Sequence, residues 1–358
     1  MQLKTTLLFT FVICFSTFAQ VNENKPVKSF QQFYHFFNDN YASFNEKNID
    51  WQSRYMHYKD DIDASTADTT LFRIMKTMLK DFKDAHVNLR SPSIDSFFNA
   101  SRNSAVINRI RPIPASQRRK QYNAMTDSTL GEFGFKPMKY IGPEYDGRPL
   151  FSYTHNDTVG YLRSTRSFSS HKFLNLQFTQ NLLNKIFKEF KPLQAVILDV
   201  RFNMGGDVSF TNNLVGRFTD KRFLGDYKQN RRKGKFSKIN PNHFGPRGKY
   251  RFTDKPVAIL LNDQTISSAD ELTLVLKNLP NITLIGEPSN GSYSNMKPKK
   301  LANGWVVTLS YQRYTDISGT NYEGKGTPVD FIQKTTIQDV QSGNDSVLRK
   351  ALQTVLQK

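Results

Sequence analysis

Cysteine is almost missing from this chain of 358 residues: the only one, Cys14, lies inside the N-terminal apolar segment. Without that segment there is no thiol, so disulfides, thiolate nucleophiles and cysteine-ligated metals are excluded. Negative charge is also scarce, with 31 acidic against 50 basic residues and a formal charge of +19. Long hydrophobic runs are missing too. The single apolar stretch, residues 7–15, is too short to span a bilayer comfortably, and no other segment approaches one. With one Lys before it and small or polar residues ahead of Ala19, residues 1–19 read as a secretory signal peptide cleaved after Ala19. The mature chain is therefore expected to be exported, periplasmic or extracellular, with no integral membrane segment left. Export also removes the usual nucleic acids as partners for the basic excess. That excess is concentrated in residues 217–255 around the stretch RRKGK at 231–235, which reads either as a solvated, partly mobile loop or as a rim attracting acidic peptides.

What is abundant is apolar and aromatic: 29 Phe and 15 Tyr suffice for a sizeable core, so disorder is excluded. Phe30, Phe33, Phe36 and Phe37 recur at helical spacing, as do Leu71, Phe72, Met75, Met78, Leu79 and Phe82, so residues 20–90 read as a small helical domain. Asp68, Thr69 and Thr70 supply caps for the second of these helices. Residues 91–157, rich in Arg, Pro, Gly and Tyr, read as an irregular connecting region without the valine-rich pattern of a PDZ domain. From Val159 onward strands and helices alternate: 159–162, a helix carrying Phe173 to Phe190, 195–200, a helix near 210–218, then 257–261. Such alternation argues for βαβ units in a mostly parallel sheet over residues 158–358. Residues 305–309 add a late strand beside the cleft.

The most informative stretch is 261–287, LNDQTISSADELTLVLKNLPNITLIGE. A buried strand ends in a polar turn, two serines follow, and a helix opens at Ala269. A serine there faces free backbone N–H groups and the positive end of the helix dipole, the setting for a hydroxyl nucleophile. The same spacing, Ser-x-x-Glu, also describes a helix-capping box. Two further segments bear on that choice. Residues 195–207, AVILDVRFNMGGD, run from a strand into Gly205-Gly206, where glycines let backbone N–H groups point at an anion. Residues 84–89, DAHVNL, follow an amphipathic helix and carry His86.

With the pieces KDAHVNL, VGYLRSTRSF, AVILDVRFNMGG, PVAILLNDQTISSADE…GEPSNG and EGKGTPVD in this order, the chain resembles the tricorn-core and C-terminal processing peptidases over residues 30–330. The resemblance implies an α/β fold, a ClpP/crotonase-like core of ββα units beside an N-terminal helical domain. It also implies a serine peptidase acting on peptides or unfolded proteins through an acyl-enzyme, with no cofactor and no metal. The family places its nucleophile three residues before a helix glutamate, giving Ser268 before Glu271, with Ser267 as cap or turn. A lysine base is missing from residues 286–292, where serine stands in its slot, and Lys297 is too distant. The tricorn-like branch then implies His86 as base and Glu323 as the carboxylate behind it. Oxyanion donors are expected from Gly205 or Gly206 and from Ala269. Two departures stand out: Ala85 in place of a relay serine, and Met204 in place of the first glycine of an Asn-Gly-Gly-Gly element. Two other readings stay open. One is a catalytically silent member of the fold that binds peptides or apolar ligands. The other is a basic, surface-associated polyanion binder resting on residues 231–235.

Overall fold

The computed structural model describes residues 24–168 and 176–357. The expected signal peptide and Phe173 lie outside these residues. The first helix, Lys25–Asn40, begins where the Asn24 side chain accepts the Val27 N–H and Pro26 occupies the first turn. It buries Phe30, Phe33, Phe36 and Phe37, as the spacing predicts. The helix Asp68–Leu79 buries Leu71, Ile74, Met75, Met78 and Leu79; Ala67, not a hydroxyl or acid, occupies its N-cap. These helices do not fold over a core of their own. Their aromatic faces share one cluster with Leu89, Trp305, Val307 and Leu309. Those four residues belong to, or adjoin, an antiparallel sheet ordered Met296–Lys300, Val306–Ser310, Asn88–Ser91, Ser96–Asn99. Its register pairs Asn88 with Thr308 and Leu89 with Val307.

The second sheet has seven strands in the order Phe331–Ile332, Ile282–Gly286, Val257–Leu261, Ala195–Asp199, Val159–Ser164, Phe151–His155, Lys139–Ile141. The first five run parallel and the last two antiparallel. Its central strands are apolar along their whole length because both faces are covered. Val196, Leu198, Val257, Ile259 and Leu261 face the layer of the helix Leu176–Phe190, whereas Ala195, Ile197, Ala258 and Leu260 face that of the helix Ser346–Leu356. The mixed α/β architecture with an N-terminal helical region is as expected.

The region 91–157 is not irregular. It holds an 18-residue helix, Ala115–Glu132, and the two antiparallel strands of the main sheet, so position 157 falls inside a paired hairpin rather than at a boundary. The basic stretch is likewise built in. Arg231 and Arg232 pair with Phe236 and Lys235 in a hairpin whose Gly234 N–H reaches Asp39 O at 2.9 Å, while an Arg231 guanidinium nitrogen reaches Asn38 O at 3.1 Å. Positive charge at 231 thus docks the hairpin on the end of the first helix.

Two loops at the carboxyl ends of adjacent parallel strands converge, the usual place for a site in such a sheet. After Asp199 the chain turns through Phe202 to Gly206, and after Leu261 through Asn262 to Ser267. The Ile266 N–H bonds Asn203 O at 2.9 Å, and Thr265 Oγ1 bonds Val200 O at 2.9 Å. Beneath the helix Ser268–Leu276 lies a buried carboxylate pair. Glu271 accepts Lys228 Nζ at 2.6 Å, and Asn242 Nδ2 lies 3.2 Å from both Glu271 and Asp226. Burial, then the Glu271 charge, pushes the Asp226 carboxyl up to about 7. A carboxyl raised in the folded state contributes stability at low pH that is lost as pH rises through its folded value. Asp226→Asn should therefore melt close to wild type at pH 5 and above it at pH 8, measured by circular dichroism at both pH values.

Candidate active site

Ser267 occupies the tightest point of the serine turn. Its φ of 63° and ψ of −125° lie in a region that side-chain-bearing residues seldom adopt. What holds it there is Asp270: the carboxylate accepts the Ser267 N–H at 3.0 Å, as well as those of Gly291 at 2.9 Å and Ser292 at 3.0 Å. The acid of the first helical turn that caps the serine turn is thus Asp270, while Glu271 turns away to Lys228. Ser267 remains partly exposed; Ser268 is 2% exposed, and its Oγ has no hydrogen-bond partner.

Gly205 packs directly on this turn. A Cβ there would meet Ile266 O at 2.6 Å and Ser267 Cβ at 2.7 Å, so no side chain is accommodated. Its N–H is already bonded to Asn203 Oδ1 at 2.9 Å, and that of Ala269 to Ile266 O at 3.1 Å. Neither is free to bind an oxyanion, which corrects the expectation for both residues. Two N–H groups of the same loops, those of Gly206 and Ser268, have no partner among the described residues. Ser268 N also lies 3.0 Å from where a Gly205 Cβ would stand. Met204, 61% exposed, fills the first glycine position of that element without burying its side chain.

His86 sits in the loop that enters the strand Asn88–Ser91, and Asp84 orders that loop. Buried Asp84 accepts the His86 N–H at 2.9 Å, Tyr41 OH at 3.1 Å and Ser310 OH at 3.1 Å. The same Ser310 oxygen lies 3.4 Å from His86 Nδ1. A proton on Nδ1 directed at Ser310, with Ser310 donating to Asp84, leaves Nε2 unprotonated; this tautomer follows from the bonding network. Burial holds the imidazole below its ordinary pKa, with Asp84 opposing, so the neutral form prevails. No hydrogen bond joins His86 to either serine. The link between them runs through Ser292, whose Oγ accepts the Ala85 N–H at 3.5 Å and whose own N–H bonds Asp270.

Glu323 is buried near Asp84 and Asp270 but makes no hydrogen bond to His86. Its carboxylate lies 3.6 Å from Lys47 Nζ, an ion pair too long to count as a hydrogen bond. Burial pushes it up to about 8, Lys47 pulling the other way. The expected orienting acid is thus displaced from the imidazole, and Asp84 and Ser310 stand in that position. Lys297 is bonded to Asn40 Oδ1 at 2.6 Å, on the strand paired with Val306–Ser310, and does not approach the serine turn. Ser310, Asp84 and Asp270 escaped sequence reasoning. Asp84 and Asp270 stood in the quoted motifs, whereas Ser310 is brought in only by sheet pairing. No group of three metal-ligating side chains occurs among the described residues.

Comparison with known proteins agrees with this architecture. The family model for Peptidase family S41 matches residues 158–332. The carboxy-terminal processing protease CtpA of Bacillus subtilis (strain 168) is 26% identical over 180 residues, 49% of this chain and 35% of that protein. The chain thus spans about a third of the length of this curated relative. Among solved structures, a protein of Parabacteroides merdae ATCC 43184 classed as a peptidase is 24% identical, covers 93% of this chain and 97% of its own, and has a TM-score of 0.74. Mature CPAF, 12% identical, covers 92% and 96% with a TM-score of 0.63. The tricorn protease, 16% identical, covers 93% of this chain and 36% of its own with a TM-score of 0.54. Below 25% identity these likenesses speak for the fold alone. The family match covers residues 158–332, just under half of the chain, so over this core the chain is similar to peptidase family S41.

Proposed function

We propose that this protein is an exported serine peptidase in which Ser267, rather than Ser268, is the nucleophile and His86 the base. The observation that carries this reading is the backbone of Ser267, held at φ 63° where two loops meet whose Gly206 and Ser268 N–H groups have no partner among the described residues. Strain at a residue other than glycine persists only where its surroundings over-determine it, and it clusters at functional sites. A hydroxyl needs a base to leave its proton during attack. Ser267 Oγ attacks the peptide carbonyl, and His86 Nε2 takes the proton and hands it to the departing amine. Water then repeats the exchange on the acyl-enzyme. The Gly206 and Ser268 N–H groups receive the oxyanion. Ser310 and Asp84 position the imidazole. The gap between His86 and Ser267 closes on substrate binding, since catalytic bonds tighten only in the complex.

The alternative, a silent peptide-binding member of the fold, is favoured by the missing serine–histidine bond. A fluorophosphonate probe separates the two, because only an activated hydroxyl reacts with it. Ser267→Ala is expected to abolish labelling and peptide hydrolysis, while Ser268→Ala keeps both within about tenfold of wild type. Labelling that survives Ser267→Ala but not Ser268→Ala returns the role to Ser268. No labelling of the folded wild type favours the silent reading.

Hydrolysis should fall as pH drops through the His86 pKa, with a midpoint below the ~6.5 of a free imidazole. Ser310→Ala is expected to lower kcat about tenfold, the size of one lost hydrogen bond, and to shift that midpoint while KM holds. An unchanged pH profile would remove Ser310 from the mechanism. For export, mass spectrometry of the native protein should find its N-terminus at Gln20; an intact Met1 on exported material counts against it.

A further inference from the structure

A cavity of about 250 Å³ opens beside the proposed oxyanion loop, between the helix Ala115–Glu132 and the ends of the strands Val159–Ser164 and Ala195–Asp199. Its apolar lining is Ile107, Ile110, Tyr122, Phe202 and Met204. A dry space of ~150 Å³ already holds a benzene-sized group, so this one has room for a single peptide residue. Met204 and Gln264 bring its wall within one and three residues of Gly205 and Ser267.

The charges of the lining are unequal. Arg201 is neutralised by Asp199 and Asp345, and Arg163 by Asp127. Arg119 and Arg148 share one exposed carboxylate, Asp146, at 3.3 and 3.2 Å, and the Arg148 Nε is buried without a partner. Arg118 has no carboxylate partner among the described residues. Instead, Ile113 O accepts its Nε at 2.8 Å and Arg111 O one terminal nitrogen at 3.2 Å, which fixes the guanidinium and leaves the other terminal nitrogen free. Three guanidiniums against one carboxylate leave an excess of two positive charges beside an apolar floor.

We propose that this cavity is a specificity subsite for a peptide residue that ends in a carboxylate, with Arg118 as its principal anchor. The carboxylate is either the α-carboxylate of an apolar C-terminal residue or the side chain of a glutamate. A guanidinium fixed in this way directs its free terminal nitrogen at the occupant and offers a carboxylate a charge-assisted hydrogen bond. An occupant here lies a few residues from Ser267, so the subsite selects which peptide bond meets the nucleophile. The proposal rests on the peptidase reading only for that last step, not for binding.

Binding is tested in the Ser267→Ala/Ser268→Ala protein, with fluorescein-labelled hexapeptides read by anisotropy. The three peptides end in leucine as the free acid, end in leucine amide, or are amidated with an internal glutamate. At least one carboxylate peptide should bind about tenfold tighter than the leucine amide, and the tighter arm names the source. Arg118→Gln should erase that preference. Arg148→Gln, whose side chain bonds only exposed Asp146, should weaken it severalfold, and it decides the matter if Arg118→Gln fails to melt cooperatively. Equal binding of all three peptides, or a preference that survives the deciding variant, overturns the proposal. Wild-type hydrolysis of the same peptides is measured in parallel. Preference in binding without any hydrolysis would keep the subsite and refute the peptidase reading; hydrolysis without preference would do the reverse.

Discussion

The carboxylate of Asp270 is the constraint on which the site depends. Buried completely, it gathers the N–H groups of Ser267, Gly291 and Ser292. One bond fixes the strained turn ahead of the helix; the other two fix the loop after the strand Ile282–Gly286. Ser292 then extends the tie to the segment carrying His86. Burying an acid is costly, and burial pushes it up to about 6 even against those bonds. Removing the carboxylate would release three donors at once, so the serine turn and the His86 loop, far apart in sequence, share a single point of failure.

The imidazole depends on a different geometry, the pleat of the antiparallel sheet. Along Val306–Ser310, Val307 and Leu309 face the aromatic cluster of the N-terminal helices, while Thr308 and Ser310 face the other way. Thr308 Oγ1 bonds His86 O at 2.6 Å and Ser310 bridges Asp84 and Nδ1. A slip of one residue would exchange the two faces. The apolar packing of Val307 and Leu309 therefore fixes the register that delivers Ser310. The N-terminal helices act on the site through this register, and Tyr41, at the end of the first helix, also donates directly to Asp84.

These relations explain what was legible in the sequence. Both-sided apolar strands, the paired glycines and the serine turn are local patterns, and they located the two converging loops. The two serines differ by a single step along the chain, and residue order does not reveal which of them takes the left-handed backbone. Which N–H groups are free is likewise a property of folded loops: Gly205 is engaged because Asn203 folds back on it, and Ala269 because its N–H turns back onto Ile266 O ahead of the helix. Glu323 was read as an orienting acid from its motif, yet the loop points its carboxylate toward Lys47. Ser310 lies 224 positions from His86, and only strand pairing connects them. The helix Ala115–Glu132 was missed because its polar residues obscure its period; Tyr122, Met125, Thr126, Thr129 and Leu130 are its buried face.

The missing lysine base has a structural counterpart. In residues 286–292 the backbone N–H groups of Gly291 and Ser292 are committed to Asp270, and the Asn290 side chain to Asp263 O at 2.9 Å. That loop is a clamp on the serine turn, with its polar groups already used. A lysine placed there would bring a cation beside buried Asp270, whose charge would hold it protonated, the wrong state for a base. Histidine avoids this difficulty. Its neutral form is favoured by the same burial that would charge a neighbouring lysine's partners at such cost, and Asp84 is near enough to stabilise the imidazolium once a proton arrives. In the proposed mechanism the acid-rich interior therefore selects histidine over lysine as the base, and Ser310 supplies the bridging hydroxyl that Ala85 lacks.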